Sequence, residues 1–464
     1  MAGQDPISNS GTESSGRAGR YAIALLLVVY ASNFIDRTIT SVVAEPMKHD
    51  LGLQDWQLGL LGGLAFALFY TTLGIPIARL AERRNRVTII SGCLAVWSVM
   101  TALCGLSQTF PQLLLARIGV GVGEAGCTPA AQSLISDRFP PEKRAVALSV
   151  FVLGVPIGTL VGAVLGGWIA QHIGWRAAFM IVGLPGLGLT AIVWLTLREP
   201  TRGAFDPVVA EPRSPAPSLS TVLKTMWGRR VMRHLLAGAC LSAFGSYGVH
   251  AFAIPFFIRS FHVSLVQASS AFGIGGAGTS MFGILFGGWL AGRLGARDRR
   301  YLALVPALGL FVAGSLDVAA FLQMQLAPLA ALLIGAAAVQ GFNVGPTYAI
   351  INNEFDQRSR ATAVAILMFA MNLVGLGFGP LAVGALSDLI AANTYGAGFA
   401  ANCAGTAAFA ATACKAASAT GLRDALCIVS LTILWAAFHY WRAAAALTAE
   451  TRHRLGVEAL ATAM

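Results

Sequence analysis

In an apolar stretch running from about residue 110 to 134, the run Arg117-Ile-Gly-Val-Gly-Val-Gly-Glu124 places two formal charges where lipid should be. An ionisable side chain at the centre of a transmembrane helix costs roughly 2.5 to 3.5 kcal/mol, so two on one helix point to a working site. Arg117 and Glu124 are seven residues apart, which puts them on one helix face about 10 Å apart along the axis. Gly119, Gly121 and Gly123 fill the gap, and small residues let a neighbouring backbone approach or leave room for a cavity. A buried guanidinium offers a fork of donors to an anion. A buried carboxyl can take and give a proton as its distance from an arginine changes. The alternative reading is a structural clamp between helices.

A second charged cluster, Asn33-Phe-Ile-Asp36-Arg37-Thr38, lies in the first apolar stretch. Asp36 and Arg37 fall roughly 10 Å from the outer end of their helix, a depth similar to that of Arg117 entering from the outside. Neighbours in sequence do not share a helix face, so one of the two is expected to meet Arg117 while the other faces a cavity. The alternative is that Arg37 snorkels to the outer interface. In the second half, Tyr247, His250, Asn343, Tyr348, Asn353 and Asn372 are the polar residues expected to face a cavity. A lone membrane histidine such as His250 reads as a hydrogen-bonded packing residue before it reads as a proton relay.

The elements that must position these groups follow from composition. Charged residues make up 11% of 464 residues and apolar ones 56%, and apolar runs of about twenty recur along the whole chain, which marks a polytopic all-α membrane protein. Spans are expected near 20–44, 57–78, 87–106, 110–134, 145–170, 175–197, 234–258, 266–291, 301–322, 328–351, 361–390 and 424–444, twelve in all. With the N-terminus inside, the cytoplasmic segments hold 25 of the 32 Lys and Arg and the outer segments 5, with Arg37 and Arg117 inside spans. The positive-inside rule thus accounts for the net charge of +11 without nucleic acid as a partner. No signal peptide or targeting motif is expected, which favours a bacterial inner membrane with both termini cytoplasmic. Cys93, Cys104, Cys127, Cys240 and Cys427 fall in apolar helices without metal spacing and read as small hydrophobes. Cys403 and Cys414 share the long outer loop, where either a disulfide or a short amphipathic helix fits.

The chain divides into a cytoplasmic arm at 1–19, a six-helix bundle at 20–197, a cytoplasmic linker at 198–233, a second bundle at 234–444 and a tail at 445–464. A basic turn, Ala78-Arg-Leu-Ala-Glu82-Arg83-Arg84-Asn85-Arg86, and a later Asp137…Arg144 segment recur as Gly288…Arg293 and Phe355…Arg360. The offsets of 210 and 216 residues make the halves a parallel duplication. The linker should hold a surface-lying helix near 218–230. In the fifth span Gly154, Gly158, Gly162 and Gly166 form a ridge for close helix contact, and the eleventh span repeats the theme around Gly375, Gly377, Gly379, Pro380 and Gly384.

These residues resemble the major facilitator superfamily over essentially the full chain, through the duplicated basic loop. They resemble most closely the spinster group of lipid transporters, through Asp36-Arg37, Glu82-Arg-Arg-Asn-Arg86, Arg117 with Gly-Val-Gly-Glu124-Ala, and Ser136-Asp137 before Arg144. The resemblance implies two six-helix bundles and a cytoplasmic latch of Glu82, Arg83, Arg86, Asp137 and Arg144. It also implies a lysolipid or sphingoid-phosphate cargo held by Arg37 and Arg117 with Asn33, Tyr247, His250, Asn343 and Asn372, and proton coupling at Asp36 and Glu124. Glu82 stands where the loop usually has Asp, Ala78 replaces a Gly, and the second copy has Gly292, so the latch is expected to rest mainly on the first half.

The reading is therefore a proton-coupled secondary transporter that exports an amphiphile by alternating access, as a monomer without cofactor or metal. An organic-anion or multidrug carrier, and a non-transporting lipid sensor on the same fold, share these motifs. A membrane enzyme lacks support, since the spans show no HExxH pair, nucleophile elbow or nucleotide loop.

Overall fold

The computed structural model describes residues 8–202, 217–356, 359–403 and 412–463. The first seven residues of the expected arm, the centre of the linker, most of the loop between Cys403 and Cys414, and Met464 lie outside them. The helices are α1 (Ser8–Val42), α2 (Ala44–Leu51), α3 (Asp55–Gly62), α4 (Leu64–Arg83), α5 (Arg86–Leu106), α6 (Phe110–Glu124), α7 (Cys127–Arg138), α8 (Pro141–Val152), α9 (Gly154–His172) and α10 (Trp175–Thr196). The linker helix α11 (Leu219–Gly228) precedes α12 (Arg230–Phe261), α13 (Leu265–Ser270), α14 (Gly278–Gly295), α15 (Tyr301–Phe321), α16 (Leu326–Gln340), α17 (Val344–Glu354), α18 (Arg360–Ala370), α19 (Gly379–Tyr395), α20 (Phe399–Asn402) and α21 (Thr412–Ala463).

Among the described residues eleven helical stretches are long and apolar enough to cross a membrane. The remaining expected span, 110–134, is not one continuous helix. It divides into α6 and α7, of 15 and 12 residues, at Ala125–Gly126 immediately after Glu124. Four glycines within eight residues weaken the helix here, and they are needed for packing: a Cβ on Gly123 would lie 2.6 Å from the Trp97 backbone nitrogen of α5, and one on Gly126 2.2 Å from the Ile77 side chain. Other spans are interrupted as well, at Gly63, at Leu153, at the 3-10 turn Gly341–Asn343, and at π-helical segments Ala271–Ala277 and Met371–Phe378. Discontinuous helices are a recurrent means of exposing backbone polar groups to a transported ligand.

By contact the chain forms two units, Met1–Thr40 with Leu68–Pro212, and Ser41–Ala67 with Arg213–Met464. In the first unit the glycine ridge of α9 seats α1. A Cβ on Gly158 would lie 2.3 Å from the Ala31 carbonyl oxygen, and one on Gly162 3.1 Å from the Ile35 Cα. The ridge therefore sets the height and rotation of the segment carrying Asn33, Asp36 and Arg37. Gly158→Leu is expected to destabilise the protein by about 1–3 kcal/mol through overpacking, read as a lower thermal midpoint in detergent. Gly188→Leu, where a Cβ meets open space, should leave it unchanged.

In the second unit α12, α15 and α21 surround an apolar core that includes Leu235, Leu310, Ile433 and Tyr440, and α11 docks into it through Val222 and Met226. The expected surface helix of the linker is thus present, with one face buried. Cys403 and Cys414 are joined by a disulfide, and the short helix α20 precedes Cys403 in the same loop.

Candidate functional site

In the first unit the two charged segments of the sequence come together. Arg37 Nε donates to Glu124 Oε2 at 2.8 Å. Its guanidinium lies 4.6 Å from the Tyr70 ring centroid and 5.1 Å from that of Phe34, so two aromatic faces hold a cation whose side chain is still 19% exposed while Glu124 is fully covered. Arg37 does not snorkel to an interface. Asp36, one residue earlier, is buried beside Glu124, Arg117, Trp97 and Thr101. Asn33, one helical turn before Arg37, sits beside Glu124. Arg117 is itself buried.

Three acceptor atoms in this cluster, Asn33 Oδ1, Asp36 Oδ1 and Glu124 Oε1, receive no hydrogen bond among the described residues. Buried acceptors are ordinarily satisfied. A carboxyl that takes a proton becomes a donor, so protonation of Asp36 or Glu124 is a way for this site to satisfy itself.

Of the residues expected in the cytoplasmic latch, Arg86 and Asp137 are brought together. Buried Arg86 donates through Nη1 to Asp137 Oδ2 at 2.5 Å and to Ser133 at 2.9 Å, and through Nε to Glu199 Oε1 at 2.6 Å. Glu199 also accepts from the Arg86 backbone N–H at 2.9 Å, placing a carboxylate on the N-terminus of α5, where the helix dipole favours it. Glu82 and Arg83 are not part of this network; both are exposed, and it is Arg202 that reaches the carbonyl oxygens of Ala81, Glu82 and Arg84. Arg144 Nε donates to the Phe139 carbonyl at 3.0 Å.

The second half, expected to contribute less to the latch, has an acid of its own. Gly292 supplies no acid, but Glu354 does: Arg299 Nη2 donates to its Oε1 at 2.8 Å and Arg229 Nη1 to its Oε2 at 3.2 Å. Arg229 also lies over the Phe355 ring. Glu354 follows Asp137 by 217 residues, close to the offset of the duplicated loops, so the acid at the end of the fourth span is repeated even though the loop acid is not.

The second-half candidates are not one cluster of equals. Asn343 is buried and donates from Nδ2 to Ser242 Oγ at 3.0 Å, near a Thr347–Tyr440 hydrogen bond. Gln340 Nε2 donates to Ser246 Oγ at 2.5 Å. Ser242 and Ser246, four apart on one face of α12, were readable as a polar stripe, and Gln340 in its alanine run likewise. His250 is exposed, with its ring edge-on to Phe272 at 5.6 Å; Tyr247 is 37% exposed, and Asn372 lies in the π-helical segment Met371–Phe378. The sequence reading passed over Asp317 of α15, a carboxyl 4% exposed with no hydrogen bond or ion pair among the described residues.

It also missed the densest ion-pair network of the second unit. Arg259, near the end of α12 remote from the linker, donates to both Glu45 oxygens at 2.9 and 3.1 Å through Nε and to Asp55 at 2.7 and 2.9 Å. Lys48 reaches Asp55 at 2.5 Å, Ser387 donates to Asp55 at 2.6 Å, and Asp388 accepts the backbone N–H groups of Asp55 and Trp56 at 3.1 and 2.8 Å. Segment 41–67 is thereby tied to α12 and α19. Glycine makes the approach possible: a Cβ on Gly59 would lie 2.3 Å from the Pro380 carbonyl oxygen, and one on Gly384 2.2 Å from that of Asp55.

Burial alone would raise the Glu45 carboxyl, but the Arg259 guanidinium and neighbouring donors hold it down at about 2. A depressed carboxyl contributes stability that is complete above its ordinary value and is lost as pH falls toward the folded value. Unfolding midpoints are thus expected to fall between about pH 4.5 and about pH 2, and Glu45→Gln to flatten that limb of the curve.

With this geometry in hand, comparison with known proteins places the chain. The model of the Major Facilitator Superfamily matches residues 26–380, and the chain belongs to that superfamily: it is a membrane transporter rather than an enzyme. It is similar over nearly its whole length to the solved structure of a bacterial homologue of the human lysosomal transporter spinster in an inward-facing, unoccupied conformation, with a TM-score of 0.83, 34% identity, and coverage of 96% of this chain and 98% of that one. The occupied form of that homologue gives a TM-score of 0.81 at 35% identity, covering 92% and 97%. An MFS-type efflux pump of Mycolicibacterium smegmatis is 32% identical over 371 residues, 79% of this chain and 84% of that protein. Protein spinster homolog 1 of Homo sapiens is 32% identical over 195 residues, a match spanning 40% of this chain and 36% of the human protein.

Proposed function

We propose that this transporter moves an amphiphile with an anionic head group, of the lysolipid or sphingoid-phosphate kind, together with protons and by alternating access. The observation that carries the reading is the Arg37–Glu124 pair, a cation that keeps a minor part of its side chain exposed, bound to a covered carboxylate. A phosphate or carboxylate head group competes with Glu124 for the Arg37 donors, because the guanidinium fork suits either. The displaced carboxyl is left in a dry site and takes a proton. Substrate and proton thus bind together, and flux runs out of the more acidic compartment. Across a bacterial inner membrane, whose outer side is the more acidic, that direction is uptake, and export would need the proton to move in as the substrate moves out.

Asp36 with Arg117 provides a second carboxyl and guanidinium beside the first pair, and Asn33 a neutral partner for Glu124. The positive-inside count supports cytoplasmic termini, and the similarity to bacterial transporters supports a bacterial inner membrane. In that orientation the Arg86 network in the first unit and the Glu354 network in the second each lie at the cytoplasmic end of their own unit, and the Arg259 network belongs to the outer side.

The similarity to an efflux pump over most of both chains supports a second reading, a carrier of smaller organic anions. The test is flux of a fluorescent lysolipid into proteoliposomes under a pH gradient, with competition by an unlabelled lysolipid and by a short-chain organic acid. Competition by the lysolipid alone supports the amphiphile. Competition by the acid alone, or no lysolipid flux in the wild type, moves the assignment to an organic anion.

A further inference from the structure

We propose that His234, His439, Arg233 and Arg442 form a seat for the phosphate head group of an anionic phospholipid on the lipid-facing surface of the second unit. His234 on α12 and His439 on α21 face each other with Nδ1 atoms 3.0 Å apart and ring centroids 5.2 Å apart. The charged groups close enough to act on this pair are Arg233 and Arg442; no carboxylate does so among the described residues, and neither arginine forms an ion pair there. Two arginine cations and two protonatable rings therefore lie together, with no carboxylate among the described residues to balance them.

Two features select a lipid over a soluble anion. Trp435, Phe438 and Trp441 flank the cluster on α21 and turn 48 to 58% of their surface outward, with the rings of Trp435 and Phe438 6.0 and 5.8 Å from that of His439. Exposed tryptophans beside cationic side chains are the residue pattern of a membrane interface. His234 also lies only four residues, about 6 Å, into α12, at the arginine-rich end of the unit. Basic clusters between helices at this level bind anionic head groups, each charge contributing about fivefold.

The histidines make the seat sensitive to pH. One hydrogen bond between two neutral rings needs one donor and one acceptor. When both rings are protonated they repel each other and the two arginines, and a phosphate between them relieves this. Bound anionic lipid and protonated histidine therefore favour each other.

The proposal is independent of the transport reading and is tested by lipid retention rather than flux. The purified protein in mixed phosphatidylcholine and phosphatidylglycerol is analysed by native mass spectrometry. Phosphatidylglycerol should be retained preferentially, and Arg233→Gln with Arg442→Gln should weaken its retention about twenty-fivefold, while Arg300→Gln, outside the seat, leaves it unchanged. In the wild type retention should strengthen on going from about pH 7.5 to about pH 5.5, and His234→Gln with His439→Gln should abolish that dependence. Equal retention of the two lipids, a double arginine variant that retains phosphatidylglycerol like the wild type, or inorganic phosphate that displaces it at equal concentration would each overturn the proposal. Should the arginine variant be unstable, the wild-type pH series decides alone.

Discussion

Proteoliposomes carrying Glu124→Gln are expected to lose the stimulation of lysolipid flux by a pH gradient, and those carrying Arg37→Ala to lose nearly all flux. One proton moved across 100 mV releases about 2.3 kcal/mol, which biases transport about fiftyfold. That factor is what Glu124→Gln should remove, because an amide keeps the shape of a protonated carboxyl but cannot release the proton. Arg37→Ala removes the donors that meet the head group and leaves Glu124 buried without its 2.8 Å partner. The two variants are thus expected to differ in kind: the first leaves flux down a lysolipid gradient, and the second does not. Equal stimulation by pH in wild type and Glu124→Gln would remove that carboxyl from the coupling scheme.

The second large effect is expected at Arg259→Ala. Arg259 and Lys48 face Glu45 and Asp55, two cations against two carboxylates, all four nearly enclosed. Removing one member of such a set leaves an uncompensated buried charge and costs about 3–5 kcal/mol. The loss falls on the seam between segment 41–67 and helices α12 and α19, so that seam should open first. A cysteine in place of Gly59, whose neighbour is the Pro380 backbone, would report packing damage as well as opening, so labelling is better read at Leu53, a buried position of the segment. Leu53→Cys should react slowly with a charged thiol reagent in the otherwise unchanged protein and at least tenfold faster when combined with Arg259→Ala. Neutralising both sides, with Arg259→Met and Glu45→Gln together, should restore part of the protection, because members of one charge network are not additive. Unchanged labelling in Arg259→Ala would mean the ion pairs do not hold the seam.

What the sequence disclosed follows from where charge is conspicuous. Arg37, Asp36, Arg117 and Glu124 stand out because they lie in apolar runs, and helical spacing was enough to expect different sets of neighbours for Asp36 and Arg37. The glycine ridge at 154, 158 and 162 was readable as a packing surface because its spacing is that of one helix face; that it seats α1 required the fold. The break at Ala125–Gly126 was not foreseen, since glycine inside an apolar run is compatible with either a continuous or an interrupted span. Glu199, Glu354, Arg259, Glu45 and Asp55 sit near helix ends, where a charge ordinarily reads as solvated. Their partners are 113, 55, 214 and 204 residues away, and no local pattern announces a contact at that range. Glu82 and Arg83 illustrate the converse: a loop motif marks the region of a latch without fixing which of its side chains engage.

The most direct test of the central claim, that an anionic head group and Glu124 compete for Arg37, is proton uptake by the purified protein when the amphiphile binds, followed with a pH indicator in weakly buffered detergent. The account predicts uptake of protons on addition of lysolipid to the wild type, and its loss in Glu124→Gln under conditions where binding persists. Proton release on binding, or uptake unchanged in Glu124→Gln, would contradict it.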